Sequence, residues 1–147
     1  IHMKIILNQH VNRVDTRKLY KLETLFPPEK DCSMSELREM GELIWEKESG
    51  NMKMLPEIVA GQGSYYGNCY LSFCYKIANQ PPKIILSRQH RKPNVLIHEM
   101  THALGHWNHG VKFVKRYFDL LVKYANYDYN FLLLTAYSVN IDLEKLK

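Results

Sequence analysis

The chain has 147 residues and a formal net charge of +5, and 46% of its residues are hydrophobic. This composition is that of a globular protein and excludes an intrinsically disordered chain. No run approaches the roughly 20 apolar residues that span a membrane, and no signal-peptide pattern opens the chain. We expect residues 1–2 to be a cloning remnant and residues 3–147 to form one domain with a single core.

Three cysteines, Cys32, Cys69 and Cys74, make an odd number, and their spacing differs from that of a zinc ribbon. The simplest interpretation is a reduced chain, so we expect an intracellular protein, cytoplasmic or in the nucleoid or nucleus, that is not secreted. Cys69 and Cys74 should face opposite sides of one predicted strand. Unpaired cysteines are commonly buried as small hydrophobic residues, which predicts a packing role for both.

Two helices are predicted in the first third of the chain. Residues 16–26 have leucines at helical spacing, and the proline pair at 27–28 ends this segment. A second helix runs from a cap at Ser33 or Ser35 to Gly50, which stops it. The positions that define the two helical periods are Leu19, Leu22, Leu25, Leu37, Met40, Leu43, Ile44 and Glu48.

Three strands are predicted in the middle of the chain, at residues 55–59, 65–76 and 84–86. These runs are rich in aromatic and β-branched residues, which pack well on a pleated surface. Residues 79–82, with the sequence Asn-Gln-Pro-Pro, are predicted to form the turn between the last two strands.

Two further helices are predicted after the strands. Residues 94–104 form the first, with Pro93 at its entrance, Asn94 as its N-cap and Gly105 as its terminator. The second spans about 110–124 and has an apolar stripe opposite a lysine-rich face. The core positions expected on the first helix are Val95, Leu96, Met100, Ala103 and Leu104. The stripe expected on the second is Phe113, Val114, Tyr117, Phe118, Leu121 and Tyr124.

The last apolar run, residues 131–137, fits a strand and a helix equally well. The order of the other elements is two helices, a small sheet and two more helices. This order predicts an α+β domain in which the helices pack against the sheet.

The helix at 94–104 carries the pattern His98-Glu99-Met100-Thr101-His102, which reads HExxH. Positions four apart lie on one face of a helix, so His98 and His102 can offer two imidazole nitrogens to one zinc ion. Glu99 lies beside them, where a general base would take a proton from water at the metal. A mostly apolar helix carries buried ionisable groups only when they are paired or bind metal, which favours a metal site over incidental surface histidines.

A catalytic zinc site usually has three protein ligands, and His106, Asn108 and His109 are candidates for the third. Three ligands along one straight helix cannot surround a tetrahedral ion, which disfavours His106. Gly105 lets the chain turn back, which favours His109. Metzincins have a histidine where Asn108 stands here, and they need a downstream methionine, whereas no methionine follows Met100.

Together with HExxH, the segment His109-Gly110-Val111-Lys112-Phe113 resembles the SprT-like (Spartan-type) metallopeptidases. Those proteins carry a third histidine in an H-G-x-x-F segment that opens the next helix. Three upstream segments are also similar to that family: NVLIHEMTHAL at 94–104, KIILS at 83–87 and YGNCYL at 66–71. The resemblance covers about residues 65–118. The short spacing between the second and third histidines is also similar to that of the WLM and YgjP-like peptidases.

The resemblance implies a zincin-like domain in which His98, His102 and His109 hold one Zn²⁺. It implies a zinc-dependent endopeptidase with Glu99 as the general base for hydrolysis of peptide bonds. A tyrosine or histidine often stabilises the oxyanion in such sites. Ten tyrosines leave that choice open, and His106 is another candidate, although a surface histidine in a turn is the simpler interpretation.

In zincin sites, an edge strand of the sheet runs along the cleft. An extended substrate can join that edge as an additional strand, so that backbone hydrogen bonds supply affinity and sequence preference is loose. Residues 65–75 or 84–87 are the segments expected to supply the edge in this chain.

The net charge mildly favours an anionic partner, and basic residues flank the HExxH helix on both sides. SprT-like proteins of the Spartan branch digest proteins on DNA, so the resemblance implies DNA as a partner beside a protein or peptide substrate. A solvated basic face is an equally good interpretation. The residues expected to contact DNA, near one end of the cleft, are Arg88, Arg91, Lys92, Lys112, Lys115 and Arg116.

Two other classes of function remain open. One is a nucleic-acid-binding protein whose zinc is structural, and the other is a partner-binding protein whose peptidase-like site is inactive. Glu99 argues against the first class, because a structural zinc site closes its fourth position with another ligand.

Overall fold

The structure is a computed structural model that describes residues 5–7, 13–61 and 72–143. Within these ranges the chain forms an α+β domain, as predicted, with helices packed on a mixed four-stranded sheet. The strands are β1 (Ile5–Leu7), β2 (Glu57–Ala60), β3 (Phe73–Ile77) and β4 (Lys83–Leu86). The α-helices are α1 (Arg13–Glu23), α2 (Met34–Ser49), α3 (Pro93–Ala103), α4 (Val111–Ala125) and α5 (Tyr129–Ser138). Short 3₁₀ turns occur at Met52–Met54 and Arg88–His90.

The strands lie in the order β1-β3-β4-β2, with β3 antiparallel to both its neighbours and β2 parallel to β4. Ile84 is central, opposite Cys74 on one side and Ile58 on the other, and it is fully buried. Residues 84–86 therefore lie inside the sheet, so the expected edge at 84–87 was wrong. β3 is also paired on both sides, and residues 65–71 of the other expected edge lie outside the described residues.

Helix α1 ends at Glu23, three residues earlier than predicted. Leu19 and Leu22 are fully buried, as the helical period indicates. Leu25 follows the end of the helix and is 49% exposed, so its expected place on one helical face with Leu19 and Leu22 was wrong, and Phe26 is buried. The early end matters because it leaves residues 24–29 free to form one wall of a cavity.

Helix α2 begins and ends as predicted. Ser33 accepts a hydrogen bond from the backbone of Glu36, whose carboxylate accepts one from Ser33, and together they form a capping box. Gly50 ends the helix with a left-handed φ of 66°. Leu43, one of the positions that define the predicted helical period, is 44% exposed, whereas Trp45 is buried.

Helix α3 is the central helix and contacts α2, α4 and the two middle strands. Pro93 is its first residue and Lys92 its N-cap, so the helix begins one residue before the predicted cap at Asn94. Every side chain from 96 to 103 is buried. The buried face of α4 is the predicted stripe with Leu120 added, while Tyr124 is only half-buried.

The undecided run at 131–137 is helical and belongs to α5. Asp128 caps this helix by accepting a hydrogen bond from the backbone N–H of Asn130 at 2.8 Å. Leu132 and Ala136, four residues apart, are buried on its inner side. In the described ranges, no helix has both the length and the apolar character needed to cross a membrane.

Candidate metal centre

Helix α3 and the turn after it bring three histidines together. His98 and His102 are one helical turn apart on α3, and His109 lies in the turn just before α4. Nε2 of His109 is 3.1 Å from Nε2 of His98 and 2.9 Å from Nε2 of His102. All three side chains are buried. The three residues predicted from sequence therefore converge on one point.

The opposite ring nitrogens of the two α3 histidines are held by oxygen acceptors. Nδ1 of His98 donates to Glu23 Oε2 at 2.7 Å, and Nδ1 of His102 donates to the carbonyl oxygen of His106 at 2.7 Å. A carboxylate and a carbonyl only accept hydrogen bonds, so the proton lies on Nδ1 in both rings. Nε2 of each neutral ring then carries the lone pair that can bind a metal ion.

The third ring is held from α1. Nδ1 of His109 lies 3.3 Å from the hydroxyl oxygen of Thr16, which can accept a hydrogen bond from it. His109 then turns Nε2 toward the other two histidines. Three lone pairs so placed repel one another unless a cation lies between them.

The nitrogen spacing fits a metal ion. In a tetrahedral site with zinc–nitrogen bonds of about 2.05 Å, ligand nitrogens lie about 3.3 Å apart. The Nε2 separations from His109 to His98 and to His102, 3.1 and 2.9 Å, are within a few tenths of an ångström of that value. All three ligand nitrogens lie within 4.8 Å of one another. The group could bind a metal ion.

Phe113 packs against the whole triad. Its ring centroid is 5.0 Å from that of His98, 4.6 Å from His102 and 4.9 Å from His109. Tyr117, one turn further along α4, lies 5.4 Å from the His98 ring. These contacts hold the imidazoles in place and give the phenylalanine of the H-G-x-x-F segment a physical role.

Glu23 is shared between a ligand candidate and a buried tyrosine. Its Oε2 also accepts a hydrogen bond from the hydroxyl of Tyr117 at 2.8 Å. Burial lowers the pKa of His98, but the charge and hydrogen bond of Glu23, with a smaller contribution from Glu99, outweigh it and raise that pKa to about 9. Glu23 therefore strengthens the binding of positive charge at His98, whether the charge is a proton or a metal ion.

Glu99 is 3% exposed, and it forms part of the wall of a cavity of about 500 Å³ beside His98. Burial, and then the charges of Glu23 and Glu99, raise the pKa of Tyr20 on α1. Burial, and then the Glu99 charge, raise the pKa of Cys74 on β3. The Glu99 charge thus acts on groups of both α1 and β3, and the residue lies in the wall of an accessible cavity. Cys74 itself is buried, as its predicted packing role requires, and Cys69 is outside the described residues.

The turn after α3 decides between the candidates for a third ligand. Gly105 has a φ of 111°, which side-chain-bearing residues rarely adopt, and this conformation turns the chain back. In the described part of the chain, the cluster of potential ligands contains His109 and not His106. The His106 ring instead lines a separate, open concavity. Asn108 accepts a hydrogen bond from the backbone N–H of Gly110 at 3.0 Å, which shapes the turn.

Sequence reasoning missed the outer contacts of the site. Glu23 and Thr16 lie 75 and 93 positions from the histidines that they contact. No motif marks either residue, and a carboxylate near a helix end is a common surface feature. The contribution of His106 was also missed, because the part that contacts His102 is a backbone carbonyl.

Four of the six predicted basic residues line concavities. Lys92 lines the cavity beside His98, whereas Lys112, Lys115 and Arg116 line the other concavity. These four residues are thus divided between two concavities.

Several of these cations are engaged within the protein. Lys92 forms an ion pair with Asp31 at 2.9 Å, and Arg116 forms one with Glu48 at 3.0 Å. Arg91 donates to the carbonyl oxygen of Gly61 at 3.3 Å. Arg88, Lys112 and Lys115 have exposed side chains, which leaves these three as the most accessible of the six predicted DNA contacts.

Comparisons with the profiles of known protein families, with curated proteins and with solved structures found no match to this chain. The functional argument therefore depends on the geometry of the site and on the motif that forms it.

Proposed function

We propose that this protein is a zinc-dependent endopeptidase of zincin-like, SprT-like type. The observation that carries the proposal is the convergence of three imidazole Nε2 atoms, one of them on His98, which lines an open cavity together with Glu99. A buried metal-binding group beside a carboxylate and a cavity supplies the parts of a hydrolytic site. The H-G-x-x-F segment supports the SprT-like type, since its histidine joins the triad and its phenylalanine packs beneath it.

Zinc is the metal that this group of ligands favours. Imidazole nitrogen is a preferred zinc ligand, and three protein ligands are the number found in catalytic zinc sites. His98, His102 and His109 would hold the ion. When bound, zinc would lower the pKa of water and polarise the carbonyl group of a peptide bond.

Residues of the chain itself transfer the proton and orient the imidazole rings. Glu99 accepts the proton of the attacking water and returns it to the leaving amine, which is the role of a general acid–base. Glu23, through its 2.7 Å hydrogen bond, keeps the Nδ1 proton on His98 and orients the ring. The His106 carbonyl does the same for His102. All three histidines are buried, which limits the access of water to the triad.

The proposal is tested with Glu99→Gln, which keeps the size of the side chain but removes its basicity. The variant should fold and retain zinc, while proteolysis falls by roughly a hundredfold or more, the usual worth of general acid–base catalysis. Casein digestion and self-cleavage report activity, and elemental analysis reports zinc. Glu42→Gln, on the exposed side of α2, is the matched control and should behave as wild type.

The alternative functions predict different results. Wild-type protein that holds one zinc ion yet cleaves no protein would indicate a structural or inactive site, as in a nucleic-acid-binding or partner-binding protein. Equal cleavage by wild type and Glu99→Gln would remove Glu99 from the mechanism. Loss of zinc together with activity in the variant would indicate a structural contribution from Glu99.

A further inference from the structure

The cavity beside His98 and Glu99 lies between the end of α1 and the first half of α3. Its volume of about 500 Å³ is within the range of 300–1,000 Å³ that is typical of ligand pockets. The floor is formed by α3, and the opposite wall by the chain that leaves α1. A peptide bond held at the triad would therefore have this cavity directly beside it.

The walls of the cavity are mainly apolar. Phe26 is almost fully buried, and its ring is fixed by Tyr127 and Tyr117 at centroid distances of 5.3 and 6.1 Å. A fixed ring and a proline pair make a wall that is already formed before a ligand binds, which lowers the entropy cost of binding. The apolar lining residues are Tyr20, Phe26, Pro27, Pro28 and Val95.

The carboxylates in the lining have partners within the fold. Glu29 accepts a hydrogen bond from the backbone N–H of Asn94 at 2.8 Å and another from the hydroxyl of Tyr127 at 3.0 Å. Glu23 is bonded to His98 and Tyr117. These two carboxylates brace the cavity, and most of the surface that its lining exposes is apolar.

The charges in the lining also select against one class of ligand. Among the described residues, three carboxylates, on Glu23, Glu29 and Glu99, line the cavity together with one lysine, Lys92. Lys92 is bonded to Asp31 and to the carbonyl oxygen of Glu29. An acidic side chain in the cavity would lose its hydration and would also lie next to other carboxylates. Both the desolvation and the repulsion between like charges disfavour its binding.

We propose that this cavity is the subsite that receives a large apolar side chain, of the leucine, methionine or phenylalanine class, from the residue next to the bond that is cut. The inference rests on the proposed peptidase function and adds to it a side-chain preference. Backbone recognition along a strand is tolerant of sequence, whereas an apolar cavity of this size distinguishes side chains by the area that they bury.

The first test is digestion of a mixture of synthetic peptides by the zinc-loaded protein, with cleavage sites identified by mass spectrometry. One position flanking the cut should favour leucine, methionine or phenylalanine over alanine by at least about tenfold in kcat/KM, the usual range for apolar pockets. Aspartate and glutamate should be the least accepted residues there. Equal cleavage with every residue at both flanking positions, or a preference for lysine or arginine, would overturn the assignment.

Thr24→Trp tests whether the cavity is the source of the preference. Thr24 is an exposed residue in the cavity lining, so a tryptophan there can fill the space without entering the core. Within this variant, the ratio of kcat/KM for leucine, methionine or phenylalanine peptides to kcat/KM for alanine peptides should fall towards one. Leu25→Trp is the matched control, because Leu25 is the next residue, is 49% exposed and does not line the cavity. Identical preferences in the two variants would contradict the proposal.

A second variant guards against a folding defect in the first. Val95→Ala removes bulk from the cavity floor and should improve acceptance of tryptophan relative to leucine. Zinc content and the midpoint of thermal unfolding show whether each variant is folded. An unchanged ranking of side chains in folded Val95→Ala would count against the assignment.

A binding measurement separates this proposal from the peptidase function. Zinc-loaded Glu99→Gln is titrated with fluorescein-labelled peptides that differ only in one residue, and anisotropy gives Kd. Tighter binding of the leucine and phenylalanine peptides, lost in the double variant with Thr24→Trp, would support the subsite even if wild type cleaved nothing. Cleavage without any such binding preference would leave the peptidase intact and overturn the subsite.

Discussion

The inner part of the candidate metal centre is local in sequence, whereas its outer part comes from a distant helix. The three histidines lie within residues 98–109, on α3 and the turn that follows. Glu23 and Thr16, which contact two of them, lie on α1. The local part provides the atoms that can bind a metal ion, and the distant part controls how two of the rings are oriented and protonated.

His102 differs from the other two histidines because its outer hydrogen-bond partner is also local in sequence. Its Nδ1 partner is the carbonyl of His106, four residues ahead and in the same turn. The left-handed conformation of Gly105 shapes that turn, so the ring of His102 is oriented without help from α1. Variants on α1 should therefore act on His98 and His109 and leave the support of His102 unchanged.

The largest expected effect is loss of the metal when a histidine of the local part is removed. His109→Ala should lose most of its zinc, because two imidazoles on one helix face cannot enclose the ion. His106→Ala should retain zinc, because only the backbone of that residue supports the site. Elemental analysis of both purified variants makes the comparison. Zinc retained in His109→Ala and lost in His106→Ala would assign the third ligand to His106.

The distant part should have a smaller effect on zinc affinity. Glu23→Gln removes the charge that faces Nδ1 of His98, and outer partners of metal ligands typically contribute 10–100-fold in affinity. Thr16→Val should weaken zinc binding less, because its contact is longer, at 3.3 Å against 2.7 Å, and carries no charge. Competition with a fluorescent zinc chelator gives both affinities. Equal losses of zinc affinity in the two variants would show that the charge of Glu23 does not account for its contribution.

The stability of chelator-treated protein should depend on pH through His98. Its pKa is raised from 6.5 to about 9 in the folded protein. A raised pKa means that the group stabilises the fold fully below about pH 6.5 and loses that contribution as the pH rises through 9. The shift sets an upper bound on the order of 3 kcal/mol. Urea unfolding at several pH values should show the decline between pH 6.5 and 9, and Glu23→Gln should flatten it.

The smallest expected effect concerns DNA. Only some of the predicted basic residues are accessible, so we expect weak, sequence-independent binding that fades as salt rises, because each phosphate contact releases counterions. Replacing Arg88, Lys112 and Lys115 together with alanine should flatten the salt dependence and leave zinc content unchanged. Anisotropy of a labelled oligonucleotide across a salt series measures this. Absence of binding at low salt would show that DNA is not a partner of this protein.

Several predictions from sequence failed where packing, not local pattern, sets the outcome. Leu25 and Leu43 have helical spacing, yet one follows the end of its helix and the other lies on the outer face of α2. β4 was expected at an edge, but β2 pairs beside it. Apolar spacing identifies a buried face only to within a residue or two, and strand order depends on contacts between distant segments.

The sequence by itself determined the local features of this protein. Ser33 or Ser35 was expected to cap α2 and Gly50 to end it, and Ser33 and Gly50 do so. His98 and His102 were predicted from helical spacing, and His109 was favoured as the third histidine by the turn at Gly105 and by the family resemblance. These features depend on backbone geometry over a few residues, and helical periodicity and turn chemistry act over such distances.

Only the tertiary structure decided what surrounds the triad. α5 is helical because Leu132 and Ala136 find a buried position, although its apolar run has no clear period. Glu23, Thr16 and the wall at Phe26 reach the site because α1 folds back against α3. Contacts between residues so far apart in the chain depend on the packing of the whole core, which leaves no pattern in the local sequence.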